Sequence, residues 1–385
     1  CLPSQLHQLS EASTHIKALA FWSVDEPGGY EAGCPIFNSA LTSTSEVMHL
    51  ATWPALAKLS CKLEFDGFIA FSPTSFSALR ELNVQIPRCN PSYAALIGSM
   101  CGLETLHIGD CGALLDHRRG DPSPSFYWHP DTYPTFATSL WAAVAGLPRL
   151  SELRLRTEQL DDGDTLAPFL NAPEGSFPSL RRVELNVLPW PVLAEVTVSP
   201  REAGQFVKQF PRLEHLSIVG CDDWPEGMDH LPWPQLKDLR LGLRDSRSQL
   251  PSGIRNMTHL QTLSVYGAYG VTFLPQWIGT LTRLTELAIS DSPMPSLPQS
   301  VTKLHHLTSL DVSRSALAKL PDDIGRLMAL TSLNLDDCRL TTALPRSMAE
   351  LTRLANLSLK LMDEVGLSIF RKQTAHPLPS IELYT

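Results

Sequence analysis

Long apolar runs are what this 385-residue chain most clearly lacks. Nothing in it approaches the ~20 consecutive apolar residues that a membrane-spanning helix needs, so no membrane insertion is expected. Charge is sparse as well. Asp, Glu, Lys and Arg make up 18% of the residues, and lysine is the rarest of them, 9 against 22 arginines. The formal net charge of −9 argues against general nucleic-acid binding, which depends on neutralising phosphates with Lys and Arg. The preference for Arg suits a GC-rich genome and protein interfaces, where Arg is enriched. Motifs that carry chemistry are missing too: there is no G-x-S-x-G, no G-x-x-x-x-G-K-[ST], no H-E-x-x-H and no C-x-x-C. Without them neither an enzyme nor a cofactor is expected. The eight cysteines are even in number but lack the paired spacing of a disulfide framework, which favours reducing, intracellular surroundings.

What the chain does have is a beat of 23 or 24 residues. Leu213-x-x-Leu216-x-Ile218 returns as Leu236-x-x-Leu239-x-Leu241, Leu260-x-x-Leu263-x-Val265 and Leu284-x-x-Leu287-x-Ile289. It continues through Leu307, Leu330, Leu354 and Leu378. The last L-x-L of each stretch alternates at period two, so both apolar side chains fall on one side of a short strand. Later in each unit come Leu274-Pro-Gln-Trp-Ile278, Leu297-Pro-Gln-Ser-Val301 and Leu320-Pro-Asp-Asp-Ile324, each followed three residues on by Leu281, Leu304 or Leu327. That spacing is helical, with proline tolerated in the first turn. The pattern resembles a leucine-rich repeat, in which stacked units bury a Leu row that none can bury alone. The expected fold is an α/β solenoid, a leucine-rich repeat horseshoe with a parallel concave sheet of about 14 strands and short helical or 3₁₀ convex segments.

Upstream the template is met at Ile16, Leu56, Leu79, Leu103, Leu150 and Leu180, with intervals of 40, 23, 24, 47, 30 and 33 up to Leu213. Residues 1–212 therefore read as irregular repeats with insertions at about 22–50 and 112–140, and residues 213–385 as regular ones, in one continuous solenoid. The longer intervals predict a fully helical convex side, as from Ser199 to Phe210. Leu2-Pro-Ser-Gln-Leu6 matches a convex half, and Leu378-Pro-Ser-Ile381-Glu-Leu383 reads as a strand with almost nothing after it. Both ends thus read as cut from a longer protein.

Cys111, Cys221 and Cys338 each lie three residues past the last apolar strand position, where Ser292, Ser315 and Ala268 stand in other units. That slot points inward, so these thiols are expected to be buried and structural. His305-His306 reads as a solvent-exposed pair and Arg119-Gly120-Asp121 as a chance tripeptide. Asp116, His117, His129 and Asp131 match no metal-site spacing, and no metal is expected. Around them the loop places Phe126, Tyr127, Trp128 and Tyr133 among prolines, and aromatics on a stiff loop are common hot spots.

The concave face is the other candidate, and its side chains follow from the strand register. Charge gathers at Glu152, Arg154, Arg156, Arg182, Glu184 and Arg240, joined by His215, Tyr266, Asp311 and Asn334. With Phe126, Tyr127 and Trp128 these are the candidate partner-binding residues.

The late repeats, L-P-x-x-I-x-x-L-x-x-L-x-x-L-x-L over about 236–360, resemble those of leucine-rich repeat effectors that plant-pathogenic bacteria deliver by type III secretion, of the Xanthomonas outer protein L type. They are also similar to plant immune receptors and intracellular plant leucine-rich repeat proteins. The first resemblance implies a domain that recognises a host protein inside the host cell, in some cases for an attached ubiquitin ligase. The second implies a ligand-sensing domain in the plant cytoplasm.

Overall fold

The computed structural model describes residues 18–20, 55–62, 77–85, 91–109, 133–157, 175–187, 210–221, 233, 235–243, 249–340, 344–359 and 382–384. The chain divides into two compact units, Cys1–Ala194 with Lys208–Arg212, and Glu195–Val207 with Leu213–Thr385.

In the first unit, six strands run parallel in chain order: β1 (Ala18–Ala20), β2 (Lys58–Lys62), β3 (Glu81–Gln85), β4 (Thr105–Gly109), β5 (Glu152–Thr157) and β6 (Arg182–Val187). The described L-x-L residues of β3 to β6 sink into the core. Leu82 and Val84 pair with Leu106 and Ile108, and Leu153 and Leu155 with Val183 and Leu185, all of them buried. Two helices back this sheet, α1 (Pro91–Ser99) and α2 (Tyr133–Ala145). They approach closely: a Cβ at Gly98 would stand 3.0 Å from that of Ala143. The last part of the insertion expected at about 112–140 falls in α2, whose first residue is Tyr133. Leu140, Trp141 and Val144 bury one side of α2, with Leu147 just beyond its end, a spacing of one, four and seven that fits a helix face. The aromatic stretch Phe126–Trp128, the insertion at 22–50, Cys111, and all but Phe210 of the helix expected from Ser199 to Phe210 lie outside the described residues. Phe210 itself is buried and stacked on Phe177, ring centroids 4.9 Å apart.

In the second unit, eight parallel strands follow in order: β7 (His215–Cys221), β8 (Asp238–Leu243), β9 (Thr262–Tyr266), β10 (Glu286–Ile289), β11 (Ser309–Asp311), β12 (Ser332–Asn334), β13 (Asn356–Ser358) and β14 (Glu382–Tyr384). Each pairing keeps repeat-equivalent residues opposite one another, as in Leu263↔Leu287 and Leu310↔Leu333. β14 departs from the template. Leu383, expected at the third apolar position, pairs with Leu357 at the second.

The far side of this unit is made of 3₁₀ turns at Ser252–Asn256, Gln276–Thr280, Gln299–Lys303, Ile324–Arg326 and Arg346–Glu350. Proline is expected inside the first turn, but it stands outside: Pro251, Pro275, Pro298 and Pro345 occupy the position just before the helix. Their carbonyls accept the N–H of Ile254, Ile278, Val301 and Met348. Proline has no N–H to lose there, and its fixed φ sets the turn.

Neighbouring turns nearly touch. A Cβ on Gly325 would lie 2.0 Å from the Ser347 carbonyl oxygen, while the Gly325 N–H donates to Ser347 Oγ at 3.1 Å. At the other end of the repeat, Gly267, Asp291, Arg314 and Asp337 all take left-handed φ between 53° and 68°. This turn aims the following residue inward, which explains the expected slot. Ala268, Ser292, Ser315 and Cys338 are all buried. Ser292 Oγ donates to Val271 O at 2.5 Å, and Cys338 Sγ to Val312 O at 3.2 Å. The buried structural role thus holds for Cys338, while nothing is described of the Cys111 and Cys221 side chains.

Gly325→Ala is expected to destabilise the protein by about 1–3 kcal/mol, the usual cost of overpacking, seen as a lower urea midpoint at unchanged slope. A midpoint equal to wild type would show that the turns can separate freely. Burial pushes the Cys338 thiol up from its ordinary value, and the thiolate is the reactive form. Iodoacetamide is therefore expected to modify exposed Cys101 in the native protein and Cys338 only after unfolding. Peptide mapping checks both, and equal native rates would contradict the packing described.

Candidate functional site

Because the core takes one side chain in two from every strand, the alternate residues stand on the open face of the sheet, the one called concave in leucine-rich repeats. Strand register fixes which of them are neighbours.

On the first unit this face carries a chain of opposite charges. Glu152 on β5 lies opposite Arg182 on β6, and Arg154 opposite Glu184. Arg154 Nε is 2.6 Å from Glu152 Oε1 and 3.2 Å from Glu184 Oε2. Arg182 Nη1 reaches Glu184 Oε1 at 3.3 Å, and His107 Nε2 on β4 lies 3.4 Å from Glu152 Oε1. The structure therefore joins four of the five charged residues singled out in this region, and joins them to one another. Arg156 lies on β5 opposite Asn186. Glu152 and Glu184 each have an arginine within reach, so these described charges present little net charge to a visitor.

On the second unit, Arg240 is the centre. Its Nε is 3.1 Å from Asp238 Oδ1, and its Nη2 is 3.8 Å from Glu286 Oε2. β9 runs between β8 and β10, so the Arg240–Glu286 contact must pass over it. Thr262 and Ser264 are accordingly buried although they belong to the open face. Burial of the guanidinium lowers its pKa, but the Asp238 hydrogen bond and the charges of Asp238 and Glu286 outweigh it, so the net shift is upward. His215 places Nδ1 3.6 Å from Asp238 Oδ2, too long for a hydrogen bond. Further along, Asp311 accepts from the Ser313 N–H at 2.9 Å and from Asn334 Nδ2 at 3.0 Å, both neutral donors.

Tyr266 ends β9, opposite Gly242, which has no side chain of its own. Its neighbours beyond the strand, Tyr269 and Phe273, were not singled out from the sequence. The three are 42%, 53% and 55% exposed, in a repeat whose other large apolar side chains are almost all buried. Their loop is well held. Gln249 Nε2 donates to Gly270 O at 2.8 Å and Thr272 Oγ1 at 2.7 Å, and the Gly267 N–H donates to Asp291 Oδ2 at 3.2 Å. Gly267 is required here, since a Cβ would fall 1.8 Å from Leu243 O. The missed signal was in plain view: Tyr266-Gly-Ala-Tyr269 stands where the next repeat has Ser290-Asp-Ser-Pro293.

His305 and His306 are both exposed, as expected. Phe126, Tyr127, Trp128, Asp116, His117, His129 and Asp131 lie outside the described residues. Among the described residues no group of His, Cys, Asp and Glu is arranged to hold a metal ion, and no helix is long and apolar enough to cross a membrane.

The family model described as Leucine Rich Repeat matches residues 329–351. Among solved structures the chain is similar to a leucine-rich repeat protein of Leptospira interrogans, with 20% identity and a TM-score of 0.50, covering 88% of this chain and 86% of that one. It is also similar to an internalin from Listeria monocytogenes, with 13% identity, a TM-score of 0.49 and 88% of each chain covered. No curated protein matches the chain. The repeats and their geometry give this chain a leucine-rich repeat fold. Stacked-repeat folds of this kind generally serve to recognise other proteins, on the extended surface their strands build.

Arg154→Ala is expected to change stability by less than about 1 kcal/mol, because its ion pairs are half-exposed and solvent-screened. Urea unfolding checks this. A loss several times larger would make the charge chain a structural element of the first unit.

Proposed function

We propose that the chain is a non-enzymatic recognition module that takes its protein partner on the open face of the sheet. The observation that carries the reading is the aromatic rim of β9. Tyr266, Tyr269 and Phe273 are exposed on a hydrogen-bonded loop. Large rigid aromatics supply much of the energy of protein interfaces, and a loop held in place before binding lowers the entropic cost of docking. Arg240, beside this rim, adds a residue type enriched in interfaces.

The charged strands β5 and β6 have a different part in this reading. Glu152, Arg154, Arg182 and Glu184 satisfy one another, which leaves them little to offer a partner beyond the contacts they already make. The Leu-Pro repeats and the preference for Arg over Lys support placing the module in a bacterial effector acting on a host protein inside the host cell. Recognition of substrates for a ubiquitin ligase is the most specific form of that role.

The test is capture of partners from host-cell lysate, comparing wild type with Tyr266→Ala/Tyr269→Ala/Phe273→Ala and with Arg154→Glu/Arg182→Glu, all shown to be folded by circular dichroism. The aromatic variant is expected to lose the partner at least tenfold, and the charge variant to weaken it less. Full retention by the aromatic variant would remove the site from β9.

A further inference from the structure

The proposed site leaves open what kind of polypeptide it fits, and the strands after β9 narrow the choice. From β10 to β13 the open face is floored by small residues. Ala288 and Ser290 stand on or just past β10, Asp311 and Ser313 at β11, Asn334 and Asp336 at β12, and Ser358 on β13. Ser290 and Ser313 are covered by their neighbours, while the partly exposed Ala288, Asn334 and Ser358 are short enough for a visiting main chain to lie close to the sheet. The lane is polar, flat and free of bulky side chains, which suits an extended segment and leaves a helix without a groove.

Past the Arg240 guanidinium, which reaches over β9 to Glu286, the charge at the described positions of the lane is negative. Over β9 to β13 the described open-face positions include Glu286, Asp311 and Asp336, and none of them is Lys, Arg or His. Asp311 is the clearest case, because the donors that hold it are a main-chain N–H and an amide, both neutral. Its full charge remains for a partner to meet. Glu286 is half-exposed and only loosely tied to Arg240, at 3.8 Å. At one end of this lane stands Tyr266, 42% exposed beside Gly242, a ring on which a guanidinium or ammonium can rest.

From the charge complementarity of this face we infer that its occupant is an extended, cationic segment of the partner, running across the strands from Tyr266 towards β13. The inference rests on the reading of the β9 rim as the docking site. Neighbouring strands lie ~4.8 Å apart, so the four intervals from β9 to β13 span roughly 19 Å, about six extended residues at ~3.3 Å each. An Arg side chain at the near end stacks on Tyr266, and another meets Asp311, the carboxylate that a planar guanidinium engages best.

The probe is a fluorescein-labelled dodecapeptide of alternating Arg and Ser, with a Glu/Ser peptide as its counterpart. Binding to the full chain is followed by anisotropy at low salt. The Arg/Ser peptide is expected to bind at least tenfold more tightly, and to weaken as salt is added. Glu286→Lys/Asp311→Asn should abolish that preference. Glu350→Lys/Asp323→Asn, which changes charge equally at exposed residues on the 3₁₀ side, should leave most of it. Equal losses in both variants would mean that the peptide answers only to the overall charge of −9, and would overturn the inference. So would equal affinity for the two peptides, or no binding of either. In each of those cases, continued loss of the lysate partner in the aromatic variant would keep the β9 site and discard only the cationic segment.

Discussion

One carbonyl per repeat holds these stacks together. At the start of β3 to β6 and of β8 to β13 the oxygen of the preceding repeat's equivalent residue accepts two consecutive N–H groups. Ala57 O takes Arg80 and Glu81; Glu104 O takes Ser151 and Glu152; Gln261 O takes Thr285 and Glu286; Thr308 O takes Thr331 and Ser332. In the regular repeats a threonine hydroxyl joins them. Thr285, Thr308 and Thr331 donate to Gln261 O, Thr285 O and Thr308 O at 2.9–3.0 Å. A main-chain group buried between layers must find partners, and here it finds them only in the next layer. Every repeat is therefore fixed at one strand spacing from its neighbour, and a side chain has to fit that spacing wherever it stands.

Several otherwise unrelated residues follow from it. Gly279 and Gly325 exist because a Cβ on either would strike the carbonyl of the next turn. The left-handed column of Gly267, Asp291, Arg314 and Asp337 reverses the chain within the allotted thickness and turns Ala268, Ser292, Ser315 and Cys338 inward. Non-glycine residues in that conformation are uncommon, with Asp among the better tolerated. Arg314 is the least suited to it, and its guanidinium binds back to Asp291, the same column one repeat earlier, at 3.2 Å.

The fold was legible where sequence periodicity and physical constraint coincide. L-x-x-L-x-L marks the strands because the core takes alternate side chains, and the inward slot at Cys338 could be placed by counting from the last strand residue. The helix α2 was harder to see. Its buried residues Leu140, Trp141 and Val144 obey helical spacing inside an interval with no strand signal, and the prolines and aromatics before them read as loop. The candidate site was legible in identity but not in state. Register placed Arg154 and Glu184 on the open face, yet only coordinates show that the charges there are spent on one another. The exposed aromatics Tyr269 and Phe273 went unremarked because the count of outward positions stopped at the end of the strand, whereas exposed apolar surface continues past it.

That difference bears on where recognition can be strong. An ion pair already made within the face gives a partner little, since the partner must replace contacts that exist and strip water from both charges. Tyr266, Tyr269 and Phe273 stand under the opposite condition. They pay for exposure in the free protein, each keeping apolar surface in water that a partner can cover, on a loop that needs no rearrangement to receive it. Asp311 sits between these extremes, oriented by neutral donors and not neutralised by them. Within the second unit, exposed aromatics at β9 and an oriented carboxylate at β11 grade the open face from strand to strand. That gradation follows from a constraint that fixes backbone spacing in every repeat while leaving the outward side chains free to differ.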